Sequence, residues 1–137
     1  MYMNPDDETI RRLLQKSKTI AVVGLSDKPH RDSYRVAGYM QQNGYRIMPV
    51  NPRAKTVLGE KAYQNLLDIA EKVDIVNIFR RSEQVLPVVE EALQLKPRAI
   101  WLQLGIINEK AAELAHSAGV TFVMDKCIKV EHARLLK

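Results

Sequence analysis

Four short stretches carry the residue types that could bind or transform a ligand. The first is Gly24-Leu25-Ser26-Asp27-Lys28-Pro29-His30-Arg31-Asp32-Ser33, which follows an apolar run. A glycine there lets the backbone turn sharply and approach a phosphate closely, and a helix starting near Ser33 offers free N–H groups and a positive dipole end. Ser26 occupies the place of the second glycine of G-x-G-x-x-G, but the third glycine is missing and the loop is longer than in the dinucleotide fingerprint. No Gly-Lys-Ser/Thr follows, so this is not a Walker A loop. Taken alone, Gly24 also fits a plain βα turn, and Lys28 and Arg31 a solvated surface.

The second stretch is Val50-Asn51-Pro52-Arg53-Ala54-Lys55. A dinucleotide fold that takes NAD usually presents Asp or Glu here to the ribose hydroxyls, and this chain has no acid. Asn51 can hydrogen-bond a ribose or adenine, and Arg53 or Lys55 can face a phosphate on that ribose. NAD is therefore disfavoured, while ligands with a phosphorylated ribose, NADP and coenzyme A, remain open. Asn51-Pro52 is also an ordinary turn pair. The third stretch, Phe79-Arg80-Arg81-Ser82, sets two arginines at a strand end before a helix N-terminus, an anion-facing arrangement. Phe79 can lie flat against an adenine or line a cleft; the plainer alternative has it in the core with both arginines solvated. The fourth, Trp101-Leu102-Gln103-Leu104-Gly105, places Gly105 where it would allow an extended ligand arm to pass. Trp101 and Gln103 share one strand face, which reads as core packing with a satisfied amide.

Catalytic candidates are thin. His30 and His132 are read in loop or tail segments and His116 on a polar helix face. No Cys/His spacing suggests a metal, and no paired carboxylates emerge at the strand ends for acid–base work. Cys127, the one cysteine, follows Asp125-Lys126 and reads as a small buried filler rather than a reactive thiol.

These stretches all follow apolar runs, and the runs alternate with amphipathic segments. Strands are expected at 19–24, 45–51, 73–79, 99–104 and 120–124, mostly apolar without alternation, as in a sheet covered on both faces. Pro49 cannot donate to a ladder, which gives the second strand an irregularity or a free side. Helices are expected from Asn4, with Pro5 at the first helical position and Asp6 and Asp7 in the first turn, and over 33–43, ended by Gly44. A short helix is expected over 63–70, one over 82–95 with Pro87 disturbing its start, one from the Asn108 cap to Ala118, and a last one in the tail. Repeated β-α-β units imply right-handed crossovers and a parallel sheet. The predicted fold is α/β, a Rossmann-like doubly wound parallel five-stranded sheet in the order 3-2-1-4-5, as one domain over 1–137. Residues 1–18 form an N-terminal helix packed on it and 125–137 a C-terminal tail. Ligands of such sheets bind beyond the carboxyl ends of the strands.

Composition agrees with that reading. The 137 residues carry 21 Lys+Arg against 16 Asp+Glu, a formal net charge of +5, with 46% apolar and 27% charged residues, close to globular averages. The cations are scattered and the aromatics few, so nucleic acid is not the expected partner, whereas an anionic small molecule is. No apolar run approaches a membrane span, and the acidic start Met1-Tyr2-Met3-Asn4-Pro5-Asp6-Asp7-Glu8 lacks the pattern of a signal peptide. One cysteine allows no internal disulfide, and a cytoplasmic location is expected.

The segments VVGLSDKPHRDSYRVAGYM (22–40), GYRIMPVNP (44–52), DIVNIFRRSEQV (74–85), AIWLQLGI (99–106) and MDKCIKVEH (124–132) resemble, in order and spacing, the stand-alone bacterial CoA-binding proteins. That family is similar to the N-terminal nucleotide-binding domain of the succinyl-CoA synthetase alpha subunit. The resemblance implies a Rossmann-type fold that binds coenzyme A or an acyl-CoA. It implies Gly24, Ser26 and Lys28 around the phosphates, Asn51 and Pro52 beside the adenosine, and Phe79 with Arg80 in the cleft wall. Arg31, Arg53, Arg81 and Gly105 join them as cofactor-binding residues without an assigned part. The synthetase's phosphorylated histidine belongs to a second domain, so ligase chemistry is not implied with the fold. The expected function is a non-catalytic CoA-binding carrier, sensor or accessory module. An NADP-binding oxidoreductase and a ligand-dependent regulatory subunit are the alternatives.

Overall fold

A computed structural model describes residues 1–137. Strands β1 (Thr19–Val23), β2 (Arg46–Val50), β5 (Ile75–Ile78), β6 (Ala99–Leu102) and β7 (Thr121–Val123) form one parallel sheet, and β3 (Thr56–Val57) and β4 (Glu60–Lys61) a separate small hairpin. Helices α1 (Asp7–Lys16), α2 (Asp32–Gln42), α3 (Val85–Gln94), α4 (Glu109–Ser117) and α5 (Ile128–Leu136) complete the fold, with 3₁₀ turns at Leu66–Asp68 and Ser82–Gln84.

Neighbouring residues of each strand face opposite sides, and both sides are apolar. Ala21, Val23, Met48, Val50, Val76, Ile78, Ile100 and Leu102 pack under α3 and α4. Ile20, Val22, Ile47, Ile75 and Trp101 pack under α1, α2 and α5. Burial on two faces explains the apolar runs that show no alternation.

The fold class is the predicted one; the strand order is corrected. The main sheet runs β2-β1-β5-β6-β7. Counting only its five strands this is 2-1-3-4-5, not 3-2-1-4-5. The right-handed crossover rule fixes the hand of each β-α-β unit but not which side of β1 the chain next occupies. Here the chain from β2 crosses back over β1, and Ile20–Val23 pair with Ile75–Ile78. The order therefore reverses between β1 and β5, whose carboxyl ends lie side by side on one edge of the sheet.

β2 becomes an edge strand, which resolves the Pro49 irregularity. Its carbonyl accepts from the Tyr63 N–H (2.8 Å), so its ring nitrogen also faces outward, where β1 requires no donor. At the other edge, Asn4 takes the part of a strand residue: its Nδ2 donates to Met124 O (2.8 Å) and its Oδ1 accepts from Met124 N (2.9 Å). This differs from the predicted helix start. The cap is Asp6, whose carboxylate accepts from the Thr9 N–H (2.9 Å), and the chain before it covers β7.

The predicted 63–70 helix is only the 3₁₀ turn, and the helix over 82–95 begins as 3₁₀ and becomes α at Val85, two residues before Pro87. At the amino end of the sheet, Asp74 ties three segments together. It accepts from the N–H groups of Lys18 (2.7 Å) and Thr19 (3.2 Å) and from Arg98 Nε (3.3 Å). Burial alone would raise its pKa; the donors outweigh burial and hold it below the usual carboxylate value.

Candidate functional site

Beside the reversal point the carboxyl ends of β1 and β2, with Arg80 from the end of β5, open into a cleft of 590 Å³. Its lining brings together Gly24, Ser26, Lys28, Arg31, Asn51, Pro52, Arg53 and Arg80 of the predicted residues, with Asp27, Ser33 and Val50 added.

Local sequence explains the shape. Gly24 has φ +85°, and a Cβ placed on it would lie 2.4 Å from Phe79 O and 2.7 Å from an Arg80 guanidinium nitrogen. The glycine is thus needed twice over, for its left-handed backbone and for the close approach of β1 to the end of β5. It also lets the Arg80 side chain fold over the turn, which makes Arg80 the bridge between the two strand ends. After Gly24 the loop is pinned by hydroxyls. The Ser26 N–H donates to Ser33 Oγ (3.0 Å), and the Lys28 N–H donates to Ser26 Oγ (3.0 Å). Ser26 acts there as an acceptor, so its own hydroxyl hydrogen is still available to a ligand.

Ser33, taken from the sequence only as a helix start, is 7% exposed and fixes the loop on the first turn of α2. The signal was present in its type: a serine at a helix entrance is a natural partner for a stray N–H. The α2 cap residue is Arg31, whose side chain makes no capping bond, so the first-turn N–H groups are left to solvent or a ligand.

Asn51 is already half committed. Its Nδ2 donates to Leu25 O (2.9 Å) and its Oδ1 accepts from the Arg53 N–H (2.8 Å). It joins the two loops and turns Arg53 toward the cleft, with one hydrogen and one lone pair remaining for a ligand. Lys28, Arg31, Arg53 and Arg80 make no ion pair with any carboxylate, whereas Arg11, Arg35, Arg46, Arg98 and Arg134 all do. The cleft therefore carries four free cations against the single carboxylate of Asp27. An unneutralised cationic cluster beside free helix N–H groups is suited to a polyanion.

Phe79, Arg81 and Gly105 lie outside this cleft. Consecutive side chains of an extended segment leave opposite sides, so Arg80 enters the cleft while Phe79 turns into a second, apolar hollow of 380 Å³ with Gln103, Leu104, Ile106, Cys127 and Val130. Arg81 caps the 3₁₀ turn and is exposed. The N–H of Gly105 donates to Asp125 Oδ1 (2.7 Å), so the glycine shapes the turn between β6 and α4. Cys127 is half-buried, where a filler was expected.

His132, read in the tail, lies on the buried face of α5, where it is 6% exposed and its Nδ1 lies 3.0 Å from Tyr39 Oη. Burial, aided by the Lys137 charge, lowers its pKa. With Ser17, Lys18 and Tyr45 it lines a third hollow, near the amino end of the sheet. No cluster of three metal-ligating side chains occurs, and no helix is long and apolar enough to cross a membrane.

The fold recurs in known proteins. The Bacillus subtilis "Uncharacterized protein YneT" is 49% identical over 130 residues, 95% of this chain and 96% of that one. A solved structure described as "hypothetical protein from Pyrococcus horikoshii OT3" superposes with a TM-score of 0.93 at 36% identity, covering 100% of this chain and 99% of that one. The "Acetate--CoA ligase [ADP-forming] II" of Archaeoglobus fulgidus is 34% identical over 79 residues, 56% of this chain and 12% of that protein. Residues 18–133 match the family described as "CoA binding domain", and the chain belongs to that family.

Proposed function

We propose that the chain binds coenzyme A or an acyl-CoA in the β1–β2 cleft, as a carrier, sensor or accessory module rather than as a catalyst. The observation that carries this reading is the convergence of four unpaired cations, Lys28, Arg31, Arg53 and Arg80, around the Gly24 turn and the start of α2. Coenzyme A presents a pyrophosphate and a ribose phosphate, two anionic groups carried on one ribose. The pyrophosphate suits the Gly24 turn, the Ser26 hydroxyl and the α2 N-terminus, with Arg80 closing over it. The ribose phosphate suits Arg53, which Asn51 orients at the end of β2. The lack of an acid at that strand end argues against NAD.

Calorimetric titration with coenzyme A, NADP and NAD tests the reading. Binding of coenzyme A that weakens as salt is added, with no heat from NAD, is the expected result. Micromolar binding of NADP with no response to coenzyme A would replace the proposal with the oxidoreductase reading.

A further inference from the structure

The second hollow opens on the same carboxyl edge as the cleft. The first turn of α2 and the adjacent residues Phe79 and Arg80 form the wall between the two. Its interior is apolar, with Phe79, Val36 and Ile106 inside and Leu104 and Val130 at the rim, 68% and 55% exposed. Large apolar side chains so exposed beside a hollow are a feature of binding surfaces.

Within this apolar lining sits one polar group with an unfilled bond. Gln103 is 6% exposed, and its Oε1 accepts from the Ile128 N–H (3.2 Å) and from Asn77 Nδ2 (3.3 Å). A backbone N–H can only donate, so the atom facing Ile128 must be the amide oxygen. That fixes the orientation of the amide and leaves Nε2 with no protein acceptor, lining the hollow. The residue is almost wholly buried, yet this nitrogen is not sealed from solvent, so its hydrogens are open to a ligand or to water entering the hollow. Of the two cations in the lining, Arg35 is paired with Asp32, and Lys129 stands over the Tyr39 ring at 5.5 Å. The hollow thus offers mainly apolar walls with a neutral amide donor among them, which matches an alkyl chain carrying a carbonyl.

We infer that this hollow is an acyl subsite. Gln103 Nε2 donates to the thioester carbonyl of an acyl-CoA, and the alkyl chain lies against Phe79, Leu104 and Val130. The inference rests on the coenzyme A reading above, because a ligand anchored by its phosphates at α2 reaches the hollow by passing Arg80 and Phe79. It makes acyl-CoA, rather than free coenzyme A, the preferred ligand.

The test is calorimetric titration of the full chain with coenzyme A, butyryl-CoA and S-butyl-CoA, a thioether that keeps the chain and lacks the carbonyl. Butyryl-CoA is expected to bind roughly tenfold tighter than coenzyme A, with the thioether between them. The preference for butyryl-CoA over coenzyme A should fall in Gln103→Glu to the smaller preference shown by the thioether, because the change keeps the acceptor for Ile128 and loses the donor. It should also fall in Val130→Asp, a change on an exposed rim. Near-equal binding of butyryl-CoA and coenzyme A by the unaltered chain overturns the acyl subsite alone. A tenfold preference that survives both substitutions overturns the assignment to this hollow. No binding of any of the three overturns the coenzyme A reading and the subsite with it.

Discussion

Replacing Gly24 by alanine probes the junction on which the cleft depends, and replacing Gly44 by alanine supplies its control. Both glycines have positive φ, +85° and +97°. An L side chain in that region costs about 1–2 kcal/mol. At Gly44 nothing lies within 4 Å of the added carbon, so that strain is the whole expected cost. At Gly24 the new carbon would sit 2.4 Å from Phe79 O, a backbone atom at the end of β5 that cannot swing aside, and 2.7 Å from the Arg80 guanidinium. Relieving such overpacking costs a further ~1–3 kcal/mol. Gly24→Ala should therefore destabilise by about 2–5 kcal/mol and exceed Gly44→Ala by at least about 1 kcal/mol. Trp101, the only tryptophan and fully buried, gives a fluorescence signal for urea unfolding of both variants. Equal losses in the two would refute the close approach of β1 and β5 at the cleft floor.

Arg80→Ala should weaken coenzyme A by about 2 kcal/mol, roughly thirtyfold, by removing a charge-assisted bond to phosphate, as calorimetry would show. An unchanged affinity would remove Arg80 from the site. Asp74→Asn should lower stability at neutral pH by about 2 kcal/mol, because the carboxylate accepts from two backbone N–H groups and Arg98. The pKa of Asp74 is lowered in the fold, so its stabilisation is complete above the unfolded value of about 3.9 and fades as pH falls through the folded value. The two proteins should thus converge in strong acid, and a gap that persists there would contradict this account. His132 is also lowered, so the fold favours its neutral form and loses stability as pH falls below about 6.5. Urea midpoints between pH 7.5 and 5.5 should drop more for the unaltered chain than for His132→Asn.

The strands were legible because a sheet covered on both faces writes itself as unbroken apolar runs, as in Thr19–Val23 and Ile75–Ile78. Their order was not, since the same runs and the same crossover hand allow β5 on either side of β1. The β3–β4 hairpin escaped notice because its strands are two residues each and its turn places Leu58 at positive φ, where a glycine or asparagine would have signalled it. Residue type at the strand ends pointed to Gly24, Ser26 and Arg80, but type alone could not show that Phe79 and Arg80 enter different hollows. Nor could it show that Asn51 spends two of its bonds on Leu25 and Arg53. Gln103 read as a satisfied core amide; only the position of the Ile128 N–H shows that its Nε2 is unfilled.

The central claim is that the cleft between the ends of β1 and β2 is the seat of the coenzyme A phosphates. Backbone amide shifts of the isotope-labelled chain, followed by NMR during addition of coenzyme A, test it most directly. The account predicts that the largest changes map to residues 24–33, 51–53 and 80, with little change around Ser17, Lys18 and His132 near the other end of the sheet. Changes centred on that opposite hollow, with residues 24–33 undisturbed, would contradict it.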